Sequence, residues 1–302
     1  MRDVMILTVL MMSGAAAHAE PPRVVTDIAP VEALVAQVME GVGVPERLIQ
    51  HGATPHEYRL RPSEAAALDQ ADIVFHASGG LAPGLVRSIE GLAGGAVIVD
   101  LGAVPDVVVY EVRDTALLEE HIDDPSQDHG EIDPHLWLDP QNGKTWVQAI
   151  ADELTLADPD NAARYAQNAA RAVTQIDSVA AQAKVLLDPV SGQNIVVFHD
   201  AYQYFEKRFN LSVLGAISLS DASSPSPARI AAIRDVMATQ GVRCVFSEPQ
   251  FNPGLIAAVL EGGDVQATVL DPLGSALTPG PRFYTDLILD MAQTIARCSA
   301  RD

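Results

Sequence analysis

The chain has 302 residues, 48% of them apolar, which is long enough for two modest domains with their own cores. Forty acidic side chains against nineteen Lys and Arg leave a formal charge of −21. That balance argues against a nucleic-acid partner, since phosphate contacts need clustered basic residues, and it favours the approach of cations.

The first segment reads as a leader rather than as part of a fold. Arg2 precedes an apolar run over 4–12, and Ala17-His18-Ala19 fits the small-x-small rule of a signal peptidase site, so cleavage before Glu20 is expected. The run is far shorter than the roughly 20 residues that cross a bilayer. No cysteine lies near the cleavage point, so a soluble periplasmic protein is expected rather than a lipid-anchored one.

Strands then alternate with helices, the pattern of an α/β fold with largely parallel sheets. A strand over 23–28 leads to a helix over 31–40; 62–70 reads as helix, and strands follow over 72–76 and 96–101. Next comes a long Ala-rich stretch over 158–187, with Asp158 as N-cap, Pro159 at the first helical position and Pro189 beyond its end. About 30 helical residues would span about 45 Å, more than one lobe requires, so the stretch reads as a rigid strut between lobes. Strands over 194–199, 212–217, 243–247 and 266–271 then alternate with helices over 202–209, 227–239, 253–261 and 284–297. The expected division is a signal peptide over 1–19, an N-terminal lobe over 20–157 with an acidic loop near 113–133, a linking helix over 158–188 and a C-terminal lobe over 189–302. No repeat of short period is visible.

Four residues carry the chemistry. His56 in HGATPHEYRLRPSE, His135 in DPHLWLDP, His199 in NIVVFHDAYQYF and Asp271 in QATVLDPLG combine three imidazoles with one carboxylate, a donor set that suits tetrahedral zinc. His199 and Asp271 fall at the carboxyl ends of two expected strands, the edge where open α/β sheets bind ligands. His56 and His135 fall in loops of the first half, so a site using all four lies between the lobes. His51 and His76 read as structural, Glu57 is left out of the ligand set, and for Trp137, Tyr202 and Tyr204 ordinary packing is preferred to walling the site or hydrogen-bonding around its ligands. Cys244 and Cys298 are expected to form a disulfide in an exported protein, against the alternative of two buried thiols.

Together HGATPHEYRLRPSE, DPHLWLDP, FHDAYQYFEKRF, CVFSEPQFNPG and LDPLG resemble the zinc-binding solute-binding proteins of bacterial ATP-binding-cassette (ABC) importers, the cluster A-I family, over about 23–298. The resemblance implies two α/β lobes joined by a long backbone helix, with one Zn2+ held in the cleft by His56, His135, His199 and Asp271. It also implies the Cys244–Cys298 disulfide and delivery of the ion to an ABC permease in the inner membrane. A periplasmic zinc metallochaperone is a further candidate partner, and the chain is expected to be a monomer. Manganese-binding relatives resemble this chain but carry glutamate where His199 stands, so the third ligand favours zinc.

One segment departs from the family pattern. Zinc-binding members often carry a long histidine-rich loop before the second ligand motif, whereas RDTALLEEHIDDPSQDHGEIDPH has only His121 and His129 ahead of His135, among Asp123, Asp124 and Asp128. A solvated acidic loop is the preferred reading, and a weak zinc-collecting segment is the other. Two rival functions share the ligands or the fold. An exported zinc hydrolase would use three histidines and an open position, but Asp271 would close that position and no general base is placed as in HExxH. A metal-binding adhesin would have the same fold.

Overall fold

The computed structural model describes residues 20–50, 52–56, 58–113, 132–218, 225–251, 253–261 and 265–299. The leader, His51, Glu57 and the loop residues His121, Asp123, Asp124, Asp128 and His129 lie outside the described residues.

The first half contributes β1 (Val24–Thr26), α1 (Ala29–Val38), β2 (Glu46–Arg47), α2 (Pro62–Gln70), β3 (Ile73–His76), α3 (Pro83–Leu92) and β4 (Val97–Asp100), with its strands in the order β2-β1-β3-β4. Helices α4 (Pro140–Ala157) and α5 (Ala162–Leu187) follow. The second half contributes β5 (Asn194–Val197), α6 (Gln203–Phe209), β6 (Ser212–Ala216), α7 (Pro227–Thr239), β7 (Cys244–Ser247), α8 (Pro253–Leu260), β8 (Gln266–Val269) and α9 (Phe283–Ser299), with its strands in the order β6-β5-β7-β8. Every pairing in both sheets is parallel. The central strands are short apolar runs buried on both faces, as parallel sheets require: Ile73, Val74 and Phe75 in one sheet, Cys244, Val245 and Phe246 in the other. Both sheets have the same order, so each has a topological switch point beside its first strand, between β1 and β3 and between β5 and β7.

The strut begins later than expected. Asp158 terminates α4, and its Oδ2 accepts from Asn161 Nδ2 and from the hydroxyl of buried Tyr165, both at 2.8 Å. Pro159–Asn161 forms a 3-10 turn, and α5 runs 26 residues from Ala162, about 39 Å. Tyr165 draws the Asp158 side chain away from the capping position. Helices α3 and α4 and strand β2 were not anticipated. In α4 the apolar stripe of Trp146, Val147, Ile150 and Leu154 is diluted by polar residues, although all four are buried.

One continuous buried cluster joins the two halves. It takes Val24, Leu34 and Phe75 from the first sheet's side, Trp146 and Ile150 from α4, Tyr165, Ala169, Ala172, Ile176, Ala183 and Leu187 from one face of α5, and Phe246, Leu287 and Met291 from the second half. The alanines at helical spacing on α5 let neighbouring helices come close. Gly143 does the same on α4, since a Cβ there would collide with the ring of Tyr284, whose hydroxyl donates to Trp137 O at 2.8 Å. The shared core makes large hinge motion costly, because opening would expose this apolar surface. A Cys244–Cys298 disulfide ties the start of β7 to the last turn of α9. Among the described residues no helix is long and apolar enough to cross a membrane.

Candidate metal centre

His199 lies two residues beyond β5 and Glu248 one residue beyond β7, so the switch point of the second sheet sets an imidazole beside a carboxylate. Both side chains are buried, and His199 Nδ1 is 2.5 Å from Glu248 Oε1. His135 starts the 3-10 turn Leu136–Leu138, whose three side chains are anchored in the core. Its Nδ1 lies 2.8 Å from Asp133 Oδ1, which also accepts from the His135 backbone N–H at 3.0 Å. Asp133 Oδ2 accepts from Gln203 Nε2 at 3.0 Å. Burial opposes the charge of Asp133, but the hydrogen bonds it accepts from His135 and Gln203 hold its carboxyl below the usual range. His56 arrives on the loop after β2, with its ring centroid 5.5 Å from that of His135 and 6.1 Å from that of His199.

Carboxylates on the Nδ1 side place the imidazole protons there, so both Nε2 atoms present lone pairs. Those two Nε2 atoms face each other at 3.4 Å. With the protons on Nδ1, two lone pairs at that separation repel, and an intervening cation removes the repulsion. A tetrahedron with bonds of about 2.0–2.1 Å has edges of about 3.3 Å, so the spacing already matches zinc. One ligand atom from each of His56, His135 and His199 lies within 4.8 Å of the others, the one such group of three or more among the described residues.

Asp271 is not in that group. Its backbone is nonetheless pinned beside it: Tyr202 donates its hydroxyl to Leu270 O at 2.9 Å, and Trp137 Nε1 donates to Pro272 O at 2.8 Å. The rings of these two residues stand 6.4 Å from His199 and 5.4 Å from His135, respectively. Tyr204 donates to Asp133 O at 2.9 Å. All three aromatic residues therefore do more than pack, because each fixes backbone next to a candidate ligand. The Asp271 carboxylate turns into its own loop, with Oδ1 accepting from Leu273 N at 2.9 Å and Oδ2 from Ser275 N at 2.6 Å and Ser275 Oγ at 2.5 Å.

Ion pairs bind the two halves around the site. Arg113, at the stem of the acidic loop, pairs with Asp200 at 2.7 Å and with Glu206, and Arg208 holds Asp139 at 2.6 and 2.7 Å. Glu111 and Ile132 form an antiparallel bridge that closes the stem, and Gln203 Nε2 donates to Glu111 O at 3.0 Å. His76 is buried at the end of β3 and is not in that group of histidines.

Sequence reasoning passed over Asp133, Glu248, Gln203 and Ser275. Asp133 had a local signal, since a carboxylate two residues before a histidine can reach its ring. Glu248 had none, because 49 residues separate it from His199.

The profile of the family described as zinc-uptake complex component A, periplasmic (ZnuA), matches residues 24–298. The high-affinity zinc uptake system protein ZnuA of Paracoccus denitrificans is 41% identical over 310 residues, covering 95% of this chain and 94% of the relative. The protein of the same name in Brucella suis is 36% identical over 322 residues, covering 95% of each. A crystal structure of ZnuA superposes with a TM-score of 0.78 at 21% identity, over 92% of this chain and all of the other, which establishes the shared fold. Family profile, relatives and fold agree with three carboxylate-backed or clustered histidines between two parallel sheets, and the chain belongs to the ZnuA family of periplasmic zinc-uptake components.

Proposed function

We propose that the chain captures a single Zn2+ in the periplasm, encloses it with His56, His135, His199 and Asp271, and hands it to the membrane permease of an ABC importer. The observation that carries the reading is the pair of Nε2 atoms 3.4 Å apart, each on an imidazole whose Nδ1 is held by a buried carboxylate. The three histidines are gathered before the ion arrives, so little ordering cost opposes their binding, and a shift of the Asp271 loop completes the set. The acidic surface steers the cation in, and the ligands replace its waters. The carrier reading is preferred to a zinc hydrolase because the family is one of transport components, and because Asp133 and Glu248 are committed to imidazoles rather than placed as free bases.

The proposal extends to lobes over 20–157 and 189–302, a leader removed after residue 19, action as a monomer, and loading by a periplasmic metallochaperone. Native mass spectrometry of the metal-stripped mature protein, offered equal zinc and manganese, tests the core of it. One bound zinc is expected, with affinity lost in His199→Ala. Unchanged zinc affinity in that variant, or zinc-dependent ester hydrolysis by the wild type, would sink the carrier reading.

A further inference from the structure

The turn after β8 controls how Asp271 presents its oxygens. Asp271 is followed by Pro272, Leu273, Gly274 and Ser275. Gly274 has φ of +65° and sits so close to Phe283 and Leu277 that a Cβ would press on both. This tight glycine turn brings Ser275 back onto the carboxylate. A carboxylate offers about four lone-pair sites, two on each oxygen. Oδ2 already receives two donors, Ser275 N and Ser275 Oγ, while Oδ1 receives one, Leu273 N. One lone pair remains, on Oδ1. All three donors belong to residues within four positions of Asp271, so they travel with the carboxylate in any shift of the loop towards the histidines.

We infer that Ser275 is a specificity-determining residue that restricts Asp271 to one coordinating oxygen. The inference rests on the proposed ligand set and adds a second determinant of metal choice to His199. With a single oxygen, three imidazoles and Asp271 make four bonds, the number that zinc takes in closed sites. Manganese favours six-coordinate, oxygen-rich surroundings, and a chelating carboxylate is the simplest way to raise the coordination number here. The Ser275 hydroxyl occupies the lone pair that chelation needs.

The test uses Ser275→Ala and Ser275→Thr in the full mature chain, with Co2+ as a spectroscopic probe and a zinc-against-manganese competition. Wild type and Ser275→Thr, which keeps the hydroxyl, should give the intense visible d–d bands of four-coordinate cobalt. Ser275→Ala should give the weaker bands of a higher coordination number. Its zinc-over-manganese preference should fall about tenfold, the scale of one hydrogen bond to a charged acceptor. A four-coordinate spectrum and unchanged preference in Ser275→Ala overturn the inference while leaving the ligand set intact. If Asp271→Ala leaves zinc affinity unchanged, Asp271 is not a ligand, and the role of Ser275 falls with it.

Discussion

Glu248→Gln separates a residue that positions a ligand from one that merely fills the core. The Glu248 side chain has no exposed surface; its Oε1 lies 2.5 Å from His199 Nδ1, and its Oε2 accepts from Gln250 Nε2 at 2.8 Å. A glutamine must put its NH2 group at one of those two positions. At the first it faces the His199 N–H, and at the second it faces the Gln250 amide. Either choice sets two donors against each other, and the first is relieved by moving the imidazole proton to Nε2, the atom that should bind zinc. Losing a partner of this kind costs metal affinity about ten- to a hundredfold, or about 1.4–2.8 kcal/mol. Competition against a chromophoric chelator at neutral pH measures it. The metal-free protein should lose little thermal stability, because the substitution removes a buried charge at similar volume. Unchanged zinc affinity would refute the reasoning, and a large fall in metal-free stability with no selective loss of affinity would reduce Glu248 to a core residue.

Other outcomes follow from the same geometry. His199→Glu exchanges a borderline nitrogen for a hard oxygen and should shift preference towards manganese; an unchanged ratio in competition titrations would mean that cavity shape decides instead. Removing 116–131 should leave equilibrium zinc affinity nearly intact, because Asp133 and His135 remain and the Glu111–Ile132 bridge brings the stem ends together. Slower zinc transfer from a donor in stopped-flow would identify the loop as a collector, and equal rates from every donor would make it solvated chain. Zinc affinity should fall as pH drops below about 6.5, where protons compete for the imidazoles. In the metal-free protein Asp133, with its carboxyl held below the ordinary value of 3.8, contributes stability at higher pH that is lost as pH falls through its depressed folded value. Asp133→Asn should therefore flatten the acid limb of the stability curve between 3.8 and that lower folded value, and an unaltered limb in acid titration by circular dichroism would contradict the assignment.

The sequence alone determined most of the fold, and local physics explains why. Parallel strands buried on both faces write themselves as short apolar runs, and prolines mark helix starts, so β3, β5, α2 and α7 were legible almost to the residue. The three histidines were legible as a set because each sits in a motif rich enough to stand out. The strut was legible in composition but not in its first turn, since the hydroxyl of Tyr165, seven residues on, competes for the Asp158 side chain. Only the tertiary structure decided the rest. The equal strand order of the two sheets leaves no short repeat in the sequence, because it resides in pairing rather than in residue identity. The His199–Glu248 contact arises where two parallel strands, separated in sequence by a crossover, end side by side at a switch point. The turn of the Asp271 carboxylate onto Ser275 depends on a left-handed glycine and on two aromatic donors from distant segments, Trp137 and Tyr202, which hold the backbone on either side. Chain pattern fixes which residues can bind a metal; the packing of separate segments fixes which of their atoms are free to do so.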